Sequence, residues 1–218
     1  MRTGCFQQVG SSLFLSLVFL LIQPSFSSAL SRSDYQPQLQ QKYYLNPASE
    51  LQLLKKLLVF ERNWKTSSGE ILVIGILYQK SSQISSWALE DWLNLQQSLS
   101  PEEFSAEKAR LVIQPVDLDS AQPLEKILGD LKVRLLYLTP LELARKPGLL
   151  PAVIKTCEKL RVGTLTAVPE YLEAGVALGF VWQKDRYQIV INLEASRAQG
   201  LNFSSQFLKL TTVRKTNG

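Results

Sequence analysis

Histidine is absent from this 218-residue chain, methionine occurs once and cysteine twice. Without imidazole there is no Ser-His-Asp triad, no Cys-His pair, no His-ligated zinc and no histidine pH switch. The cysteines, Cys5 and Cys157, stand too far apart in the chain to form a CxxC site. No Gly-Lys-Ser/Thr step exists, and Gly163, Gly175 and Gly179 do not compose a dinucleotide fingerprint. Positive charge is in mild excess, 24 basic against 19 acidic residues, but it lies in singles and short pairs such as Lys55-Lys56. A nucleic-acid footprint needs clustering on one face, so no nucleic-acid partner is expected. What remains is 45% hydrophobic and 20% charged, the composition of one ordinary globular domain.

The N-terminus carries a single charge, Arg2, then an apolar run from Leu13 to Ile22 broken only by Ser16, then Pro24 and the small residues Ser27, Ser28 and Ala29. A membrane span needs about 20 apolar residues, and this run is about half that, so it predicts a secretory signal over 1–29 cleaved after Ala29. Cys5 precedes the run, the wrong side for a lipid-modified cysteine. Cleavage leaves Cys157 alone, so no internal disulfide is expected in the oxidising compartment beyond the membrane. Residues 30–47, rich in Gln and Ser with two prolines, read as a polar linker. A single domain is expected over 48–213 and a tail over 214–218.

Within that domain, apolar residues at 51, 54 and 58 and at 53, 57, 60 and 64 form two adjoining helical stripes, with Ser49 as the candidate N-cap. ILVIGILY (71–78) is a continuous apolar run, a strand covered on both faces, and Gly75 within it suggests close helix packing. A helix over 85–99, a strand at 111–116, a helix over 123–131, a strand at 133–139, a helix over 149–160 and a strand at 162–168 follow. Pro115 places the second strand at an edge or at its own end. Helix-length connections between buried strands imply parallel pairing with right-handed crossovers. Two apolar runs at 176–182 and 187–193, separated by Gln183, Lys184, Asp185 and Arg186, predict a β-hairpin. The expected fold is an open, mostly parallel α/β sheet flanked by helices and made mixed by that hairpin, closing with a short helix at 194–199, a cap at Gly200 and a last helix over 204–213.

Open α/β sheets bind ligands beyond the carboxyl ends of their strands. The crevice candidates are Gln79, Ser81 and Ser82 after the first strand, Asp117 and Asp119 after the second, Thr139 after the third and Thr166 after the fourth. The competing reading is that Ser, Asp and Thr there cap and shape loops. Asp117 and Asp119 alternate along an extended segment and do not converge as a catalytic pair. Cys157 lies on an apolar helix face with nothing to activate it, a buried structural thiol. Trp64, Trp87, Trp92 and Trp182 read mainly as core. Because Trp87 and Trp92 point about 140° apart on one helix, one of them is open to contact a partner. No catalytic set, metal site or organic cofactor is expected, and the chain is expected to be a monomer or weak homodimer.

The segment from Val162 to Leu210 resembles the C-terminal half of the YfiR-like family of secreted bacterial proteins. The correspondence runs through Leu165 to Tyr171, Ala174-Gly175, Ile191-Asn192-Leu193, and Ser196-Arg197 through Gly200-Leu201 into Ser204 to Leu210. Upstream, LLKKLLVFERNW with Arg62-Asn63 and then ILVIGILY is similar to the family's first helix and strand. The resemblance implies a periplasmic regulator that binds the sensory region of an inner-membrane diguanylate cyclase, or a kinase, and restrains it, governing cyclic di-GMP and biofilm formation. A small-molecule-binding module stands as the alternative. The chain departs from the best-known members in having a single thiol where they carry disulfides, Ala174-Gly175 for Gly-Gly, and Trp64-Lys65 for Trp-Pro.

Overall fold

The computed structural model describes residues 46–64, 70–106, 109–183 and 186–214. The signal segment, the cleavage position at Ala29, nearly all of the linker and residues 215–218 lie outside them. The first helix, α1 (Pro47–Phe60), starts earlier than expected. Its N-cap is Asn46 rather than Ser49: the Asn46 side chain accepts the Ala48 N–H at 2.9 Å, and Pro47 sits at the first helical position, where its missing N–H costs nothing.

Strand and helix then alternate through β1 (Ile71–Tyr78), α2 (Gln83–Ser98), β2 (Ser105–Ala106), β3 (Ala109–Asp117), α3 (Leu124–Asp130), β4 (Leu135–Leu138), α4 (Leu149–Leu160), β5 (Gly163–Thr166) and α5 (Pro169–Glu173). The hairpin β6 (Leu178–Gln183) and β7 (Arg186–Asn192) follows, then α6 (Leu193–Ala198), α7 (Ser205–Leu210) and β8 (Thr212–Arg214). One eight-stranded sheet has the order β2-β3-β1-β4-β5-β6-β7-β8. Strands β3, β1, β4, β5 and β6 run parallel, β2 and β7 pair antiparallel with β3 and β6, and β8 runs parallel to β7. The fold is therefore the mixed, mostly parallel α/β sheet that the sequence predicts.

Two hydrophobic layers flank the sheet. On one face α1 (Leu51, Leu54, Leu57), α2 (Leu89, Trp92), α6 (Ala195) and α7 (Phe207) cover Leu72, Ile74, Ile76, Leu135, Tyr137, Leu178 and Phe180. On the other, α3 (Leu128), α4 (Leu150, Val153, Ile154, Cys157) and α5 (Tyr171) cover Leu77, Val116, Leu136 and Leu138. Covering both faces is why β1 and β4 read as unbroken apolar runs. Gly75 has a different cause from the one expected. A Cβ there would meet Leu136, Val116 and Val133 at 3.0–3.1 Å, side chains around the neighbouring strands rather than a helix.

Pro115 faces outward on β3, where β2 reaches only as far as Ala109 and Arg110, so its missing N–H breaks no ladder. The same edge is closed elsewhere, with Leu111 N–H donating to Phe104 O and Ile113 N–H to the Gln96 side chain. The expected last helix over 204–213 stops at Leu210. Thr211, Thr212 and Val213 are β-branched and lose rotamer freedom in a helix, and Thr212–Arg214 joins the sheet beside β7 instead. Gly200 takes φ +81°, the left-handed conformation its capping position requires.

Candidate functional site

The order of strand addition reverses between the parallel strands β1 and β4, the chain passing from β1 outward to β3 on one side and from β4 to β5 on the other, so the topological switch point lies beyond Tyr78 and Leu138. The polar residues expected there are brought together, and each is held by the protein itself. The Thr139 hydroxyl, fully buried, donates to Leu77 O at 2.9 Å and meets the Ser85 hydroxyl at 2.5 Å. The Ser85 oxygen also accepts the Gln79 N–H at 2.9 Å. The Gln79 side-chain oxygen accepts the Glu142 N–H at 2.6 Å, and the Tyr171 hydroxyl accepts the Leu141 N–H at 2.8 Å. Thr166 is turned inward, donating to Leu138 O at 3.0 Å and accepting the Val168 N–H. Ser85 and Tyr171 are the members that sequence reasoning missed. Ser85 gives a signal only as a polar residue at a helix start, and Tyr171 contacts the crevice across 30 residues of chain.

Toward β3 the rim is acidic. Asp119 accepts both the N–H and the hydroxyl of Ser81 at 2.8 and 2.7 Å, and these hydrogen bonds hold its carboxyl below the usual range. Lys146 stands 3.9 Å away, and Asp117 accepts the Asp119 N–H at 2.9 Å. The two carboxylates thus shape a loop and do not converge on a reacting centre. Burial, and then the charges of Asp117 and Asp119, push the Tyr78 phenol up. Ser82 is buried at the start of α2 with its N–H on Gln79 O.

Away from the rim, burial pushes the Cys157 thiol up to about 12, so it carries no thiolate near neutral pH. A shallow groove of about 200 Å3 lies at the opposite end of β3, where Arg110 and Leu111 meet Gln96 and Leu99 of α2. No cluster of three metal-ligating side chains exists among the described residues. Trp92 is 2% exposed and Trp64 is buried, whereas Trp87 is half-buried. Trp182 differs from the core reading of the sequence. It is 58% exposed at the free end of the hairpin, its ring edge-on to Tyr187 at 4.5 Å.

A family model described as YfiR/HmsC-like matches residues 52–212, from the second turn of α1 to the start of β8. The chain belongs to the YfiR/HmsC-like family. That membership supports a periplasmic regulator, and no described helix is long and apolar enough to cross a membrane. Curated proteins gave no significant match. Among solved structures, similarity of fold extends to an ABC domain in complex with L-Trp from Streptococcus pneumoniae (TM-score 0.52, 13% identity, 78% of this chain and 60% of that one). It extends also to the ligand-free, open structure of CD0873, a substrate-binding protein with adhesive properties from Clostridium difficile (TM-score 0.50, 15% identity, 80% and 61%). A conserved domain protein from Vibrio cholerae is similar as well (TM-score 0.50, 17% identity, 78% and 60%). The YfiR/HmsC-like chain spans about three fifths of each of these structures, and at such identities the likeness is one of fold.

Proposed function

We propose that this YfiR/HmsC-like protein is a non-enzymatic periplasmic regulator that binds the sensory region of an inner-membrane signalling protein of the diguanylate cyclase type and restrains it, so that its release raises cyclic di-GMP and biofilm formation. The observation that carries this reading is the state of the switch-point crevice. Its polar groups are tied to one another and to backbone, and none is positioned as a nucleophile, base or anion cradle. Restraint of a partner needs no such group, only about 800 Å2 of surface on each side and a higher affinity for the inactive state. Trp182 is an exposed aromatic set edge-on against the half-buried Tyr187, with Trp87 half-buried on α2, and aromatic side chains of this kind dominate interface energetics.

The test uses the full secreted chain and the isolated sensory region of a cyclase from the same envelope, with binding measured by calorimetry and cyclic di-GMP measured in cells with and without the chain. Loss of the chain is expected to raise cyclic di-GMP. Trp182→Ala is expected to weaken binding by about tenfold or more, a hot-spot loss of over about 1.4 kcal/mol, with the melting temperature unchanged. Unaltered cyclic di-GMP on loss of the chain would overturn the reading.

A second reading, a small-molecule-binding module at the switch point, is favoured by the likeness in fold to substrate-binding proteins. A thermal-shift screen against free amino acids separates the two. A true ligand at a hundredfold its Kd adds about 2.7 kcal/mol of stability. Because opening the crevice must break the Ser81–Asp119 and Gln79–Glu142 bonds, no shift is expected.

A further inference from the structure

Helix α1 and its C-cap carry two buried carboxyl groups, one at each end, and they are held in opposite ways. At the C-terminal end, Glu61 is fully engaged, one oxygen accepting the Trp64 N–H at 2.5 Å and the other the Asn202 N–H at 2.7 Å. Arg62 N–H donates to Asn202 O at 2.8 Å, and Phe60 stacks on Phe207 of α7 at 4.7 Å. This end is clamped to the segment between α6 and α7. Near the N-terminus, Glu50 is 2% exposed, its Oε2 is buried with no hydrogen-bond partner among the described residues, and its carboxyl hydrogen-bonds with the Tyr137 hydroxyl. A carboxylate in the first turn of a helix is ordinarily at ease in water beside the free N–H groups. Here the side chain is instead driven under the helix against the sheet.

Among the described residues, the groups facing Glu50 offer it no positive charge. They are the phenols of Tyr137 on β4 and Tyr187 on β7. Helix α2, packed beside α1, turns Leu89 and Trp92 inward, with Glu90 exposed and Asp91 half-buried, and β2, also against α1, consists of Ser105 and Ala106 alone. A lone carboxylate in such surroundings is strongly disfavoured, so the closed arrangement holds the neutral acid.

We propose that α1 is a proton-gated lid: loss of the Glu50 proton swings the N-terminal half of the helix away from the sheet about the Glu61 clamp and uncovers the floor around Tyr137 and Tyr187. The proton passes to water and the freed carboxylate is hydrated, with no other group oxidised, reduced or transferred. Burial holds the closed acid up to about 8, against an ordinary value of 4.5. A carboxyl whose pKa is raised in the closed form favours that form at low pH and penalises it as pH rises between the two values. The open-to-closed ratio therefore grows about tenfold per pH unit across that window and levels off above about pH 8.

Hydrogen exchange of the α1 amides, residues 51–56, tests this in the full chain. Taking wild type relative to Glu50→Gln cancels the intrinsic pH dependence of exchange. That ratio is expected to rise about 100-fold from pH 5.5 to pH 7.5 in α1, with α1 exchanging much faster than α4, whose amides open only with the whole protein, at every pH. A flat ratio in α1 overturns the lid, and α1 amides exchanging as slowly as those of α4 overturn its local character by showing global unfolding instead. The carbon-13 shift of the Glu50 carboxyl in the wild-type protein gives a reading independent of the variant's folding. A titration midpoint well above 4.5 supports the proposal, and a midpoint at the ordinary value overturns it.

Discussion

Trp92→Ala is expected to cost about 3–5 kcal/mol, within the range for truncating a buried large aromatic, and to lower the melting temperature by about 6–20 °C. The indole is 2% exposed and lies edge-on to Tyr137 at 5.4 Å. With Ser85 and Leu89 it makes up the buried side of α2, so little apolar surface remains to hold that helix to the sheet once the ring is gone. Tyr137 is also the hydrogen-bond partner of Glu50, and the cavity would free its ring to turn from a buried carboxyl that already lacks a second partner. Denaturant unfolding followed by far-UV circular dichroism measures the cost. A loss under about 1 kcal/mol would mean that the site collapses without strain. Trp87→Ala on the same helix is expected to cost less than half as much, since its ring is half-buried. Lost partner binding in the Trp92 variant would therefore report folding, whereas lost binding in the Trp87 or Trp182 variants would report contact.

The parts of this fold that were legible in the sequence are those where burial alone decides. The runs at 71–78 and 135–138 are apolar because both faces are covered, and the 149–160 helix shows one clean stripe ending at Cys157. Even Pro115 announced an edge. Less legible were the features that depend on which polar atom meets which partner. Asn46 captured the cap of α1 from Ser49 because Pro47 fixes the first turn, a local competition that propensity leaves open. Glu50 and Glu61 continue the buried stripe of Leu54 and Leu57 at helical spacing, a pattern visible in retrospect, but polar residues are normally assigned to the wet face. At the rim, position at a strand end was readable for Gln79, Thr139 and Thr166. Their occupation by Ser85, Glu142 and Leu138 was not, since each bond joins segments that only the folded sheet brings together.

Gln199 shows the same point with the largest polar consequence. Thr164 precedes the stretch where β5 meets β6, whose pairing begins at Leu165 and Leu178, so the Thr164 N–H has no strand to donate to. The fully buried Gln199 side chain takes that strand's place. Its oxygen accepts the Thr164 N–H at 2.8 Å and the Thr164 hydroxyl at 2.7 Å, while its amide nitrogen donates to Gly175 O at 3.3 Å. The Thr164 oxygen in turn accepts the Ala177 N–H at 2.9 Å. One amide thus joins β5, the entry to β6 and the end of α6. Gln199→Ala leaves two buried donors unmatched, at about 1–3 kcal/mol each, and an expected total loss of about 2–5 kcal/mol. Thr164→Val removes the hydroxyl but not the N–H and should cost less. In the double variant the two losses should fall short of additivity by at least about 0.5 kcal/mol, because the second substitution removes a group the first has already stranded. Strict additivity in denaturant unfolding would show that the two side chains act separately and that β5 finds another acceptor.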